Sequence, residues 1–192
     1  MRGSQRSDER NRHIALPVER LALRHEPVTE EFLFTMGYSG ERSYFSPSLG
    51  TLFTIGTPYV TQESKTPPQW LHKMSFAMPY APAQARSLDP KSKGLPDPHG
   101  FSGAPVWDTK FRQCSLENRR WQAEYSRITG IVFSWDSSTA HIIAIRIEYV
   151  REFFLFALRK EAAYFHWIDR GKPFGDDLTD WVWAEQAIPD LR

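Results

Sequence analysis

Seven of the chain's 14 prolines fall between Tyr59 and Gly100. Proline lacks a backbone N–H and its ring clashes with the preceding helical turn, so a segment this rich in it excludes long helices and favours extended edges and loops. The flanking sequence agrees. From His13 to about Trp135 the apolar runs are short, "HIAL", "EFLFTMGY", "GTLFTIGT" and "RITGIVFSW", separated by Gly, Pro, Ser and Asp, and they read as β-strands. "AHIIAIRIEYV" adds a β-branched strand that runs into a helix.

The period changes after about Ile147. Val150, Phe153, Phe154, Ala157, Leu158 and Phe165 recur at spacings near three and four, the period of an amphipathic helix. Gly171 followed by Pro173 marks its end. A second helix is expected from Asp176 or Asp177, where a short carboxylate can cap free amides, with Leu178, Trp181, Val182 and Ile188 on one side. The expected organisation is a disordered lead-in over residues 1–12, a mainly β domain over 13–147, and a helical pair over 148–192.

Composition limits the function classes. With 192 residues, 41% hydrophobic and 24% charged, the chain can bury a substantial core. A formal net charge of +1 with no basic stripe argues against nucleic acid or anionic lipid as partner. No run of eighteen apolar residues suggests a membrane span. The one cysteine, Cys114, cannot form an internal disulfide, and the charged start MRGSQRSDERNRH does not read as a secretory signal, so a cytoplasmic setting is expected.

Chemistry concentrates in "PDPHGFSGAPVWD", residues 96–108. A nucleophilic serine needs its oxygen exposed at a turn, with backbone N–H groups near the developing negative charge. Gly100 and Gly103 around Ser102 permit such a turn, and Ala104 lets neighbouring backbone approach. The plainer alternative is a structural turn. "GFSGAP" has the Gly-x-Ser-Gly-x-Pro form of the nucleophile motif in trypsin-like (chymotrypsin-fold) serine peptidases. The following strand "APVWD" and the later "RITGIVFSW" resemble that family's order, the latter its Gly-Ile-Val-Ser-Trp strand beside the substrate with one residue extra. "FLFTMGYSGERS" is similar to the strand and turn that open the family's second barrel.

The resemblance implies a mainly β fold, an antiparallel six-stranded trypsin-like barrel that is one half of the two-barrel fold, followed by the helical pair. It implies Ser102 as nucleophile and the amides of Gly100 and Ser102 as oxyanion hole. Where many members have aspartate before the serine, this chain has Phe101, so activation by terminal cleavage is not expected. Pro96 and Asp97 fall near the floor of the family's specificity pocket, Ser134, Trp135 and Asp136 near its wall, and His99 flanks it. Asp97 between two prolines is equally an ordinary turn residue.

The base is harder to find. In the family, the catalytic histidine and its orienting aspartate come from the first barrel, and "HIALPVERLAL" is similar to the end of that barrel, with His13 where the aspartate belongs. His13 and His25 are the candidates to approach from the amino-terminal arm. His99 is poorly placed to take the serine proton, and His72, His141 and His166 read as surface or packing residues. Without its base a triad serine loses about a million-fold in turnover, so a feeble or inactive enzyme is expected. Two situations fit: a shortened two-barrel peptidase, or a natural half that binds peptide or protein substrates or complements a partner supplying the first barrel.

"LRKEAAYFHWIDRGKPFGDDLTDWVWAEQAI" resembles a small bacterial helical-hairpin domain of unknown function, through Ala163-Tyr164, Trp167, Arg170-Gly171, Gly175-Asp176, Asp180-Trp181 and Ala184-Glu185. An aromatic hairpin of this kind can also dock a partner, which makes a non-catalytic peptide-binding or scaffold protein the rival reading. His166 with Asp176, Asp177 and Asp180 could suggest a metal, but helix capping accounts for the acids more simply. No metal and no cofactor are expected.

Overall fold

The computed structural model describes residues 16–86 and 94–190. Six antiparallel strands form one sheet in the order β4-β1-β6-β7-β8-β5, comprising β1 (Leu33–Gly37), β4 (Thr57–Thr61), β5 (Ser75–Pro79), β6 (Pro105–Asp108), β7 (Arg127–Asp136) and β8 (His141–Arg146). The sheet curls until its outer strands meet. The Tyr59 hydroxyl of β4 donates to the Pro79 carbonyl of β5 at 2.7 Å, and the Ser64 N–H reaches the Ala77 carbonyl at 2.8 Å. The result is a half-barrel with a C-terminal helix pair, as the strand and helix periodicities suggest.

Leu33, Phe76, Met78, Val106, Val132, Ile142 and Ala144 point inward from these strands, and Tyr80 and Phe101 fill the space between them. Each large side chain in this cluster contributes about 1.5–3 kcal/mol through burial. Tyr80, fully buried, donates its hydroxyl to the Pro96 carbonyl at 2.7 Å, and burial pushes its pKa above the ordinary tyrosine range. Gly130 of β7 is required by packing, since a Cβ there would lie 2.5 Å from the Phe76 ring and 2.6 Å from the Ile145 carbonyl oxygen.

Other elements lie outside the barrel. The expected strand "GTLFTIGT" divides in two: β3 (Thr51–Thr54) pairs with β2 (Ser43–Ser46) as a separate hairpin, and β4 then joins β1. The loop after β6 contains a short helix, α1 (Phe111–Leu116), whose Arg112 and Gln113 N–H groups donate to the buried Glu31 carboxylate, each at 2.9 Å. Among the described residues, Tyr59–Gly100 contains no α-helix, in keeping with its prolines. Most of "HIAL" lies outside the described residues, and Leu16 is not in a strand.

The amino-terminal arm follows β7, with Leu21 bridging Ile128 in parallel and the Ala22 N–H donating to the Ile128 carbonyl at 2.9 Å. Its end is locked by His25, which stacks on Phe76 at 3.7 Å between ring centroids. The His25 ring nitrogens lie 2.8 Å from Thr129 Oγ1 and 3.2 Å from Glu63 Oε2, and its N–H donates to Glu148 at 3.0 Å.

Helix α2 (Ile147–Asp169) follows β8 directly and ends as expected. Gly171 has φ +81°, its N–H bonds the Ile168 carbonyl, and the Lys172 N–H bonds that of Trp167, which is the Schellman arrangement. Helix α3 (Asp177–Ala187) packs back on α2. Two expectations are corrected here. Asp176 makes no side-chain cap, because its carboxylate is taken by Arg170. Leu178 and Val182 face outward, and α3 buries Asp180 and Ala184, with Trp181 and Ile188 half-buried.

The orientation of α2 is the larger difference. An apolar stripe ordinarily turns toward the core. Here the packed side carries Ile147, Arg151, Leu155, Arg159, Ala162 and His166, while Phe153, Phe154, Leu158 and Phe165 face outward. The packed side is polar because α3 and the barrel supply polar partners. Asp180, 3% exposed, accepts from Arg170 at 3.0 Å and lies 2.7 Å from His166 Nδ1, and Arg159 donates to the Ile188 carbonyl at 3.1 Å.

Candidate functional site

The segment from Pro98 to Ala104 makes two consecutive tight turns. The Phe101 N–H returns to the Pro98 carbonyl at 3.0 Å, and the Ala104 N–H to the Phe101 carbonyl at 2.9 Å. Gly100 and Gly103 occupy the third position of each turn with φ +99° and +87°, which type II geometry requires and other residues resist. Gly100 also has no room for a side chain, since a Cβ would come 2.3 Å from the Tyr38 carbonyl oxygen at the end of β1.

Phe101, between the turns, is 1% exposed and plugs the core. Its ring lies over Gly37, where an added Cβ would be 2.2 Å away, and meets Tyr80 edge-on at 5.7 Å. Anchoring residue 101 inward places Ser102 at the outer corner of the second turn, exposed. The turn is fixed on its far side as well: the Gly103 N–H donates to the Val132 carbonyl at 2.8 Å, and the Val132 N–H to the Ala104 carbonyl at 2.9 Å. Among the described residues, the N–H groups of Gly100 and Ser102 have no acceptor, whereas those of Phe101 and Gly103 do.

Ser102 opens into a cleft of about 260 Å³ lined by His99, Gly100, Phe133, Ser134 and Trp135. Larger depressions of about 430 and 470 Å³ lie elsewhere, along β4 and beneath the amino-terminal arm. The Ser102 hydroxyl donates to the Phe133 carbonyl at 3.4 Å. Phe133 is the residue left over when "RITGIVFSW" is compared with the peptidase strand. Val132 pairs with Ala144 and Ser134 with Ile143, so Phe133 forms a β-bulge and Ser134 and Trp135 remain in register with β8. Strand pairing of β7 with β6 ends at Ile131 and the bonds to Gly103 and Ala104 carry it to Val132, while β7 continues to Asp136, so among the described residues no strand covers its edge beyond Val132, beside Ser102.

The imidazoles are distributed unevenly. His99 is exposed, meets Trp135 edge-on at 5.5 Å, and has Nδ1 against the Asp97 carboxylate. The His99 N–H also donates to Asp97, and these contacts, the backbone one foremost, hold the Asp97 carboxyl below its ordinary range. His25 is 3% exposed, with both ring nitrogens engaged by Thr129 and Glu63, away from the cleft-lining set. His13 lies outside the described residues. Among the described residues, no imidazole is hydrogen-bonded to the Ser102 hydroxyl.

Sequence reasoning missed the brace supplied by residues 39–42. The Gly40 N–H bonds the His99 carbonyl at 3.4 Å, the Asp97 N–H bonds Glu41 at 3.4 Å, and Arg42 reaches the Gly94 carbonyl. The signal available was Gly40 in "GYSGERS", a turn with no assigned partner. Asp136 is a turn residue rather than cleft lining: Ser138 and Thr139 donate to its carboxylate and lower its pKa to about 2. Among the described residues, no cluster of three or more metal-ligating side chains occurs, and no helix is long and apolar enough to cross a membrane.

No curated protein and no solved structure shows a significant match to the chain. Residues 160–189, the second half of α2 with α3, match a family described as a protein of unknown function (DUF2934).

Proposed function

We propose that the half-barrel is a homologue of the trypsin-like serine peptidases, in which Ser102 accepts an acyl group from a peptide or protein and turnover within this chain is feeble. The observation that carries the reading is the double glycine turn. It exposes the Ser102 hydroxyl and, among the described residues, leaves the neighbouring Gly100 and Ser102 N–H groups without acceptors. In such a site the hydroxyl oxygen attacks the substrate carbonyl while its proton passes to solvent water, the two amides receive the charge that develops on the carbonyl oxygen, and the scissile C–N bond then breaks to release the amine, which takes up a proton from water. The free edge of β7 at Phe133–Asp136 lets a peptide add as an extended strand across the serine.

The feeble rate follows because, among the described residues, no imidazole meets the Ser102 hydroxyl. Ser102 donates to a carbonyl, and an oxyanion hole with substrate binding alone gives roughly 10³–10⁴ over water. A partner carrying a first barrel would restore a base. The single, buried Cys114 fits a reducing, cytoplasmic setting.

Labelling with a fluorophosphonate followed by peptide mass analysis tests the reading. Slow modification at Ser102 that disappears in Ser102→Ala is expected. The same β7 edge also supports the rival, a peptide-binding module without chemistry. Binding of extended peptides with no labelling at millimolar probe would decide for that rival.

A further inference from the structure

The outward stripe of α2 is a continuous apolar surface along one helix face. Phe153, Phe154, Leu158, Tyr164 and Phe165 are 45–65% exposed over more than three helical turns. A buried aromatic removes roughly 150–250 Å² from water, so half-exposed side chains of this number leave on the order of 500–600 Å². A stable interface needs at least about 600 Å² per partner, and the stems of Lys160, Glu161 and Ile168 along the same stripe bring the total to that size.

We propose that α2 is the dimerisation helix of this protein and that its occupant is α2 of a second copy, antiparallel, about a two-fold axis passing opposite Arg159. That register follows from the sequence of the stripe. It sets Phe153 against Phe165 and Phe154 against Tyr164 of the second copy, and it repeats every contact by symmetry. At the centre it sets Ala157, the smallest residue of the stripe, against Glu161. A small residue there lets the helices approach to the usual 8–10 Å. Lys160 of the second copy, level with Leu158 and one residue from the Ala157–Glu161 pair, comes within reach of Glu161, so the two charges on the stripe neutralise each other across the axis twice.

A parallel arrangement would place Glu161 beside Glu161 and loses that pairing. The packed side of α2 is untouched by this arrangement, because it already holds the barrel and α3. The inference is independent of any chemistry at Ser102.

Sedimentation equilibrium and size-exclusion light scattering of the full chain test it. The expected mass is twice the 22.3 kDa of one chain at micromolar concentration. Phe154→Glu and Phe165→Glu should each give monomers with an unchanged far-ultraviolet circular dichroism spectrum, since both positions are exposed. Glu161→Lys should weaken the dimer at least tenfold, and the exchange Lys160→Glu with Glu161→Lys should recover most of the loss. A monomeric wild-type chain at tens of micromolar overturns the proposal, as does a dimer that survives both phenylalanine substitutions. A dimer indifferent to Glu161→Lys overturns the antiparallel register.

Discussion

The contact between Phe101 and Gly37 can be tested as a pair. Phe101→Ala removes a side chain that is 1% exposed from the centre of the half-barrel, and truncations of this kind cost about 3–5 kcal/mol. Gly37→Ala alone puts a methyl group 2.2 Å from the Phe101 ring, an overlap that forces the ring or strand β1 to shift, at about 1–3 kcal/mol. Combined, the two changes interfere, because the methyl enters space that the ring has vacated. The double variant should therefore be no less stable than Phe101→Ala, which corresponds to a favourable coupling of about 1–3 kcal/mol. Urea unfolding of the four proteins, with equal m-values as the control for two-state behaviour, measures the coupling. Additivity within about 0.5 kcal/mol would refute the account of Phe101 as the anchor that turns Ser102 outward.

Two further perturbations follow from the same geometry. Gly100→Ala should abolish fluorophosphonate labelling at Ser102 and lower the unfolding midpoint, because the position combines φ +99° with a Cβ site 2.3 Å from the Tyr38 carbonyl oxygen; normal labelling would contradict the turn geometry. The His25 hydrogen bond holds the Glu63 carboxyl below its ordinary value, so its stabilisation is present above the ordinary carboxyl range and is lost as the pH falls through the lowered value. With the Glu63 side chain 38% exposed the effect is screened and modest, and thermal unfolding from pH 6 down to about 3 should show a shallower decline in Glu63→Gln than in wild type.

What could be read from the sequence depended on whether the signal was local. Proline density, short apolar runs and the Gly171–Pro173 stop are local, and they correctly located the β-rich region and the end of α2. The division of "GTLFTIGT" into β3 and β4 was not legible, because both halves have strand character and only the competing partners, β2 and β1, separate them. The direction of the α2 stripe was also hidden. Periodicity shows that one side of a helix is apolar, but it does not show that the opposite side will find Asp180 and the barrel first. At the candidate site, "GFSGAP" indicated a turn presenting Ser102 and the extra residue in "RITGIVFSW" was visible as an excess, whereas the second turn appeared only in the fold. Its placement as a bulge at Phe133 required the register against β8, and the brace from residues 39–42 required contacts between segments more than fifty positions apart.

The exposure of Ser102 follows from packing and needs no catalytic explanation. Phe101 is drawn inward by the apolar core, Gly100 is pressed against the Tyr38 carbonyl, and Gly103 is tied to Val132, so the residue between Phe101 and Gly103 can only point away from the barrel. Any small residue at 102 would be presented in the same way. An exposed serine therefore does not by itself distinguish a peptidase from a binding module. The discriminating feature is the pair of Gly100 and Ser102 amides, which find no acceptor among the described residues, whereas the open edge of β7 serves either reading. A Phe133 deletion separates these roles: it removes the bulge and the carbonyl that the Ser102 hydroxyl meets, keeps Ser134 opposite Ile143 and Trp135 opposite Ile142, and leaves the turn from Pro98 to Ala104 intact. If the bulged edge recognises a peptide, binding is lost while the fold is retained.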